Sequence, residues 1–272
     1  MPVHVPAVLD NASLKRIAPS IFASRPYEGM SDKYSFIPTS AVLDELRGKG
    51  WLPVKAREQK ARNEEKLGFT KHMIRLRKSD APVMVGETLA EIVLVNAHDG
   101  GAAFQLYAGL FRLVCSNGLT VDEGSIERIS IRHSGDVIGE VAYAAKHIAK
   151  DAPRLAGEVK RMQAIELQSS HQRSFAAAAL DLKYESDEHD RSLAPITPDQ
   201  ILVPRRLADK GNDLWTTFNV VQENLIKGGL RGRSQSKTNR RVRTREVQSV
   251  SEDIRLNRAL WTLARELKKK TR

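Results

Sequence analysis

The sequence predicts an α+β protein, with an N-terminal antiparallel meander sheet crossed by a long helix and a C-terminal helical part. Three observations carry that prediction. Strand-like segments, alternating or rich in β-branched residues, recur through residues 51–133. From Ile138 to Met162 apolar residues instead step by alternating threes and fours, the spacing of a helical stripe. The charge is also divided: residues 227–272 hold 15 Lys/Arg and 4 Asp/Glu, whereas residues 1–226 hold 29 of each.

After an N-terminal arm read as irregular, Ala41–Arg47 forms a short helix behind Pro38-Thr39-Ser40, stopped by Gly48 and Gly50. Trp51–Arg57 is a strand and Glu58–Lys66 a charged connection. Phe69–Lys78 alternates, with His72, Ile74 and Leu76 on one face and Lys71, Met73, Arg75 and Arg77 on the other. Val83–Asn96 is a β-branched strand ending in the Asn96–Gly101 turn signal, and Phe104–Cys115 is a strand closed by Ser116-Asn117-Gly118. Leu119–Val121 and Ile126–His133 complete the meander.

The stripe Ile138, Val141, Ala145, Ile148, Ala152, Leu155, Val159, Met162 either packs across the sheet or joins copies of the chain, with Pro153 imposing a kink or break near Asp151. Gln168–Tyr184 is helical, Glu185–Thr197 an exposed acidic loop, and Asp213–Ile226 a helix stopped by Gly228-Gly229. A solvent-exposed basic loop, residues 230–246, follows. Ser249-Val-Ser-Glu252 then opens a last helix lined by Leu256, Leu260, Leu263 and Leu267. A sheet-rich part, 1–135, and a helical part, 136–272, make one continuous structural unit.

Composition narrows the function classes. The net charge is +11, hydrophobic residues are 41% and charged residues 28%, a globular balance. No apolar run approaches the ~20 residues of a membrane helix, no secretory leader is visible, and one cysteine, Cys115, excludes a disulfide framework. These features predict a cytoplasmic protein without membrane contact.

Motifs for chemistry are sparse. There is no GxxxxGK[ST] loop, no GxGxxG after a strand and no HExxH, so the sequence predicts no cofactor, no metal ligands and no catalytic residues. His98-Asp99 with Glu87 and Glu91 is the one arrangement that suggests a metal-dependent nuclease, although a turn explains Asp99 equally well. His72 and His133 read as core or surface histidines. Cys115 reads as a buried inert thiol.

Phosphate binding has stronger candidates. Arg231, Arg233, Lys237, Arg240, Arg241, Arg243 and Arg245 form a basic block with no acid among them. Lys71, Arg75 and Arg77, with Arg128 and Arg132 on a later strand, form a cationic row along the sheet. Arg112 shares a face with Leu110 and Val114, so it is either a member of a buried ion pair or a ligand-facing residue.

Phe111-Arg-Leu-Val-Cys-Ser-Asn-Gly-Leu119 and Asn96-Ala-His-Asp-Gly100 resemble the phage- and plasmid-like proteins grouped as domain of unknown function 932. The stretches 214–229 and 256–261 are similar to the family's cryptic-prophage, YafZ-like branch; Ala97 departs from an expected serine. The resemblance spans roughly residues 25–265 and implies a mobile-element protein, with no activity attached. A helix, a strand meander and a long helix also resemble phage single-strand annealing proteins at the level of fold, an analogy that transfers no site residues.

The leading expectation is non-catalytic binding of DNA, preferentially single-stranded, by a homo-oligomer, extending to strand annealing. An interaction protein that inhibits a host defence or nuclease is the alternative, and a metal-dependent nuclease is the third. Aromatic residues, at 6%, are too few for extensive base stacking.

Overall fold

Residues 51–131 build a seven-stranded, fully antiparallel sheet in the computed structural model, and helices frame it in sequence on both sides. The structure describes residues 7–31, 34–79, 84–85, 88–112, 118–121, 129–131, 137–184, 186, 192–235 and 239–271. The chain divides into two compact units, Met1–Ala156 and Gly157–Arg272. The α+β class holds.

In the first unit the arm read as irregular contains helix α1 (Asn11–Ile17). Asp10 starts it by accepting a hydrogen bond from Ser13 N at 2.8 Å, a cap that the Asp10-Asn-Ala-Ser13 pattern could have revealed. Helix α2 spans Thr39–Gly48. The strands are β1 (Trp51–Glu58), β2 (His72–Lys78), β3 (Met84–Val85), β4 (Thr88–Asn96), β5 (Phe104–Arg112), β6 (Gly118–Val121) and β7 (Ile129–Ile131). Their order is β1-β2-β4-β5-β6, with β3 paired to β4 and β7 to β5. β4 and β5 pair directly across the Asn96–Gly101 turn, where Gly100 adopts φ 75°.

One sheet face carries Ile74, Leu76, Ile92, Leu94, Phe104 and Leu106, all fully buried, as are Val42, Leu43 and Leu46 of α2. A polar knot lies in the same core. The Thr39 hydroxyl meets His72 Nε2 at 2.9 Å and His98 Nε2 at 3.3 Å, and it accepts from Asn96 Nδ2 at 3.0 Å. His72 Nδ1 lies 3.0 Å from Thr70 O, so that nitrogen carries the proton and Nε2 accepts from Thr39. With its hydroxyl engaged there, Thr39 is the first helical residue, and Pro38 takes the N-cap position.

Helix α3 (Val137–Gln163) passes through Pro153 without the expected break. Pro153 removes one N–H from the ladder without ending this 27-residue helix. Val141, Ala145, Ile148, Leu155, Val159 and Met162 of its stripe are buried in the single chain, so they are not open as a contact between copies.

The second unit is helical: α4 (Ser169–Asp181), α5 (Pro198–Ile201), α6 (Leu214–Lys227) and α7 (Val250–Lys270). Every residue of α6 from Leu214 to Leu225 is buried except Thr216. Around it Phe175, Trp215, Phe218 and Trp261 pack together, with Trp215 stacked on Phe218 at 5.5 Å. Ser249 caps α7 as expected, accepting from Glu252 N. Among the described residues, no helix is long and apolar enough to cross a membrane.

Burial pushes the His72 ring from its ordinary 6.5 down to about 3; the nearby His98 acts in the same direction, and the bond to Thr70 opposes. The unfolded chain therefore takes up this proton near pH 6.5 and the folded core only near 3. Stability should fall as pH drops through that window, with this group contributing up to ~1.4 kcal/mol per pH unit, and should lack this dependence above it. Urea midpoints at pH 7, 6 and 5 should show the slope, and His72→Gln should remove this component.

Candidate nucleic-acid interface

The basic segment read as a loop is a β-hairpin of β8 (Arg231–Arg233) and β9 (Arg241–Arg243). The hairpin leaves α6 through Gly228 and Gly229, at φ 58° and 82°. A Cβ on Gly228 would stand 2.6 Å from the Arg245 backbone, so only glycine fits. Gly229 N donates to Thr244 O at 2.8 Å, Thr244 N to Leu230 O at 2.9 Å, and Leu230 N to the Thr244 hydroxyl at 3.0 Å. At the far end Ser234 N donates to Arg240 O at 2.8 Å, and Asn239 supplies the turn with φ 42°.

Register decides what the hairpin presents. Arg231 stands opposite Arg243, Gly232 opposite Val242, and Arg233 opposite Arg241. Strand alternation puts the four arginines on one face, and all four are exposed. Beneath the opposite face lie Pro195 and Ile196: a Cβ on Gly232 would come within 1.9 Å of Pro195 O. The edge of β8 is tied down as well, by Arg233 N to Pro195 O at 2.8 Å and Gln200 Nε2 to Arg231 O at 2.9 Å. Ala194 and Ile196, in the segment expected to be an exposed loop, are buried because they form this seat.

Like charges directly opposed across strands repel. Among the described residues, no carboxylate pairs with Arg231, Arg233, Arg241 or Arg243. Two of them reach backbone oxygens instead: Arg243 Nε donates to Gly229 O at 2.8 Å, and Arg233 Nη1 to Asn239 O at 3.4 Å. Arg231, Gly232, Arg233, Arg241, Val242 and Arg243 line a concavity of about 630 Å³. Arg240 and Arg245 are exposed beside it, and Lys237 lies outside the described residues.

Residues that sequence reasoning missed hold the base. Asn224 Nδ2 donates to Ile201 O and Val203 O, both at 2.9 Å, while its Oδ1 accepts from Arg205 Nε at 2.7 Å. Arg205 continues to Gly228 O at 2.5 Å. Lys183 Nζ donates to Leu225 O at 2.5 Å and to Arg245 O at 3.4 Å, and burial lowers its pKa against the opposing pull of Glu252. The available signal was Asn224 one turn before a double glycine, although Asn219, Gln222 and Glu223 of the same helix are polar and buried too.

Two members of the cationic row expected along the sheet are not open to solvent. Arg75 and Arg77 are buried, and Glu91 between them is fully buried. Arg75 Nε reaches Glu91 Oε2 at 2.7 Å, and Arg77 Nε and Nη2 reach Oε1 at 3.1 and 2.5 Å. The alternation of β2 was real, but β2 is an interior strand covered on both faces, so its polar face is neutralised instead of solvated. Lys71 precedes β2, half-buried, and lines a separate concavity of about 440 Å³ with Lys60, Arg62, Lys66 and Asp99. Arg128, Arg132 and Asn117 lie outside the described residues. Arg112 ends β5 opposite Thr88, and its side chain lies outside them too.

The residues suggestive of a nuclease are dispersed. Glu91 is held by the two arginines, whereas His98 joins Thr39 and Asn96, and Asn96 sits by strand alternation on the other face. Asp99 accepts from Gly101 N at 2.9 Å and meets Lys66 at 3.5 Å. Glu87, Cys115 and His133 lie outside the described residues. Among those described, no three metal-capable side chains cluster. Of the two alternatives open for His72, core or surface, the structure shows the core.

Comparison with known proteins places these features in a wider context. The family model described as Domain of unknown function (DUF932) matches residues 26–261. UPF0380 protein YfjQ and UPF0380 protein YafZ of Escherichia coli (strain K12) are each 39% identical over 259 residues, which is 95% of this chain and 91% of theirs. No solved structure matches.

Glu91→Gln would leave two buried guanidinium groups without their carboxylate. We expect a loss of about 3–5 kcal/mol in urea unfolding, with the thermal melt falling in parallel.

Proposed function

The chain belongs to the DUF932 family, and we propose that it binds nucleic acid, single-stranded DNA in preference to duplex, through the phosphate backbone and without catalysing a reaction. The observation that carries this reading is the arginine face of the β8–β9 hairpin. Four exposed guanidinium groups sit on a short ribbon that is tied at its base, its tip and one edge, and no described carboxylate offsets them. Holding like charges together costs stability, and a polyanion returns it on binding.

Charge is the expected source of affinity. The rings of Phe175, Trp215, Phe218 and Trp261 are engaged with one another in the core, which leaves no stacking platform among them. A flexible single strand can follow the short ribbon and lay successive phosphates along it, whereas the phosphates of a duplex are fixed on two rigid helical tracks. One ribbon holds one strand, so annealing requires at least two copies to hold two strands together. A mobile-element setting, implied by the resemblance to phage- and plasmid-like proteins, fits this role.

Replacing Arg231, Arg233, Arg241 and Arg243 together by serine should weaken binding of a single-stranded oligonucleotide at least ~100-fold at low salt. Thermal stability should hold or rise as the repulsion is removed. Gel shifts at two salt concentrations beside a thermal melt read both quantities; unchanged affinity in a folded variant would reject the reading.

Gly232→Ala changes no charge, yet its Cβ would collide with Pro195 O. It should displace the ribbon from its seat and weaken binding several-fold in the same assay.

A further inference from the structure

Resting on the phosphate-binding reading, we infer that the ribbon is a double clamp: each cross-strand arginine pair grips one phosphate, and the two pairs grip neighbouring phosphodiesters of one extended strand. The register carries this inference. Backbone bonds join Ser234 to Arg240 and Leu230 to Thr244. In an antiparallel ladder bonded and non-bonded pairs alternate, so Arg231–Arg243 and Arg233–Arg241 both occupy non-hydrogen-bonded positions. The outward bond from Arg233 N to Pro195 O agrees, since that N–H is not turned toward β9.

Side chains stand closest at such positions, with Cβ atoms about 4.5–5.5 Å apart. Two guanidinium forks that close share one anion more readily than they serve two. A phosphodiester offers two charged oxygens, and each fork can take them through paired N–H donors. Along the ribbon the pairs are two residues apart, about 6.8 Å in antiparallel strands. That step is of the same size as the distance between neighbouring phosphates of an extended strand. The bound strand therefore runs along the ribbon axis, with its bases free of the arginines. The ligand class is a pair of consecutive phosphodiesters, independent of base and of the 2′-hydroxyl, so single-stranded RNA and DNA are held alike.

Salt dependence separates this arrangement from one phosphate per arginine. Each phosphate neutralised in a single strand contributes about −0.7 to the slope of log affinity against log salt. Removing one pair, by Arg231→Ser with Arg243→Ser, should reduce the slope's magnitude by about 0.7, and removing both pairs by about 1.4. DNA and RNA oligonucleotides of equal length should give the same changes. Reductions of about 1.4 and 2.8 would overturn the clamp while leaving the phosphate-binding reading intact. No change in slope or affinity in the folded variants would overturn both.

Discussion

Mutual repulsion of four guanidinium groups is the constraint around which the second unit is arranged. Left to itself, a three-residue hairpin with two like-charged pairs on one face would open. It stays closed because everything beneath and behind it is bonded. Gly228 and Gly229 turn the chain where a side chain would not fit, Thr244 ties the base, and Pro195 and Gln200 bind the free edge of β8. Those anchors depend in turn on α6, whose buried Asn224 fixes the 201–205 segment and, through Arg205, Gly228 itself. The apolar packing of α6 thereby becomes positional accuracy at the surface.

The two arginine groups show how environment decides the role of one residue type. Arg75 and Arg77 sit on an interior strand, where an unpaired charge is prohibitively costly, and they converge on Glu91. Arg231, Arg233, Arg241 and Arg243 sit on a hairpin whose face meets water, and their charge stays available. The first group stabilises the sheet. The second leaves its charge open to water.

Much of this was legible in the sequence. Alternation and β-branched runs gave the meander and period 3.6 the helices, and α6 and α7 carried their caps and stops in plain view at Asp213, Gly228 and Ser249. The acid-free run in the last quarter contains all four arginines of the hairpin face. What it did not give was their shape: a three-residue strand such as Arg-Gly-Arg or Arg-Val-Arg lacks the apolar alternation that announces a strand, because its inner face is one glycine or one valine. For β2 the alternation was visible, but the pairing partner was not. Glu91 lies on the neighbouring strand β4, and only register brings it opposite Arg77. α1 was missed because a seven-residue helix with a single cap gives a weak period.

The central claim is that phosphates meet the hairpin arginines and not those of the sheet. Arginine side-chain Nε–Hε resonances, followed by NMR as an unlabelled single-stranded oligonucleotide is added, test it most directly. The account predicts shifts at Arg231, Arg233, Arg241 and Arg243 that saturate together, with Arg75 and Arg77 unmoved. Shifts confined to Arg75 and Arg77, or none at the four hairpin residues when binding is saturated, would contradict it.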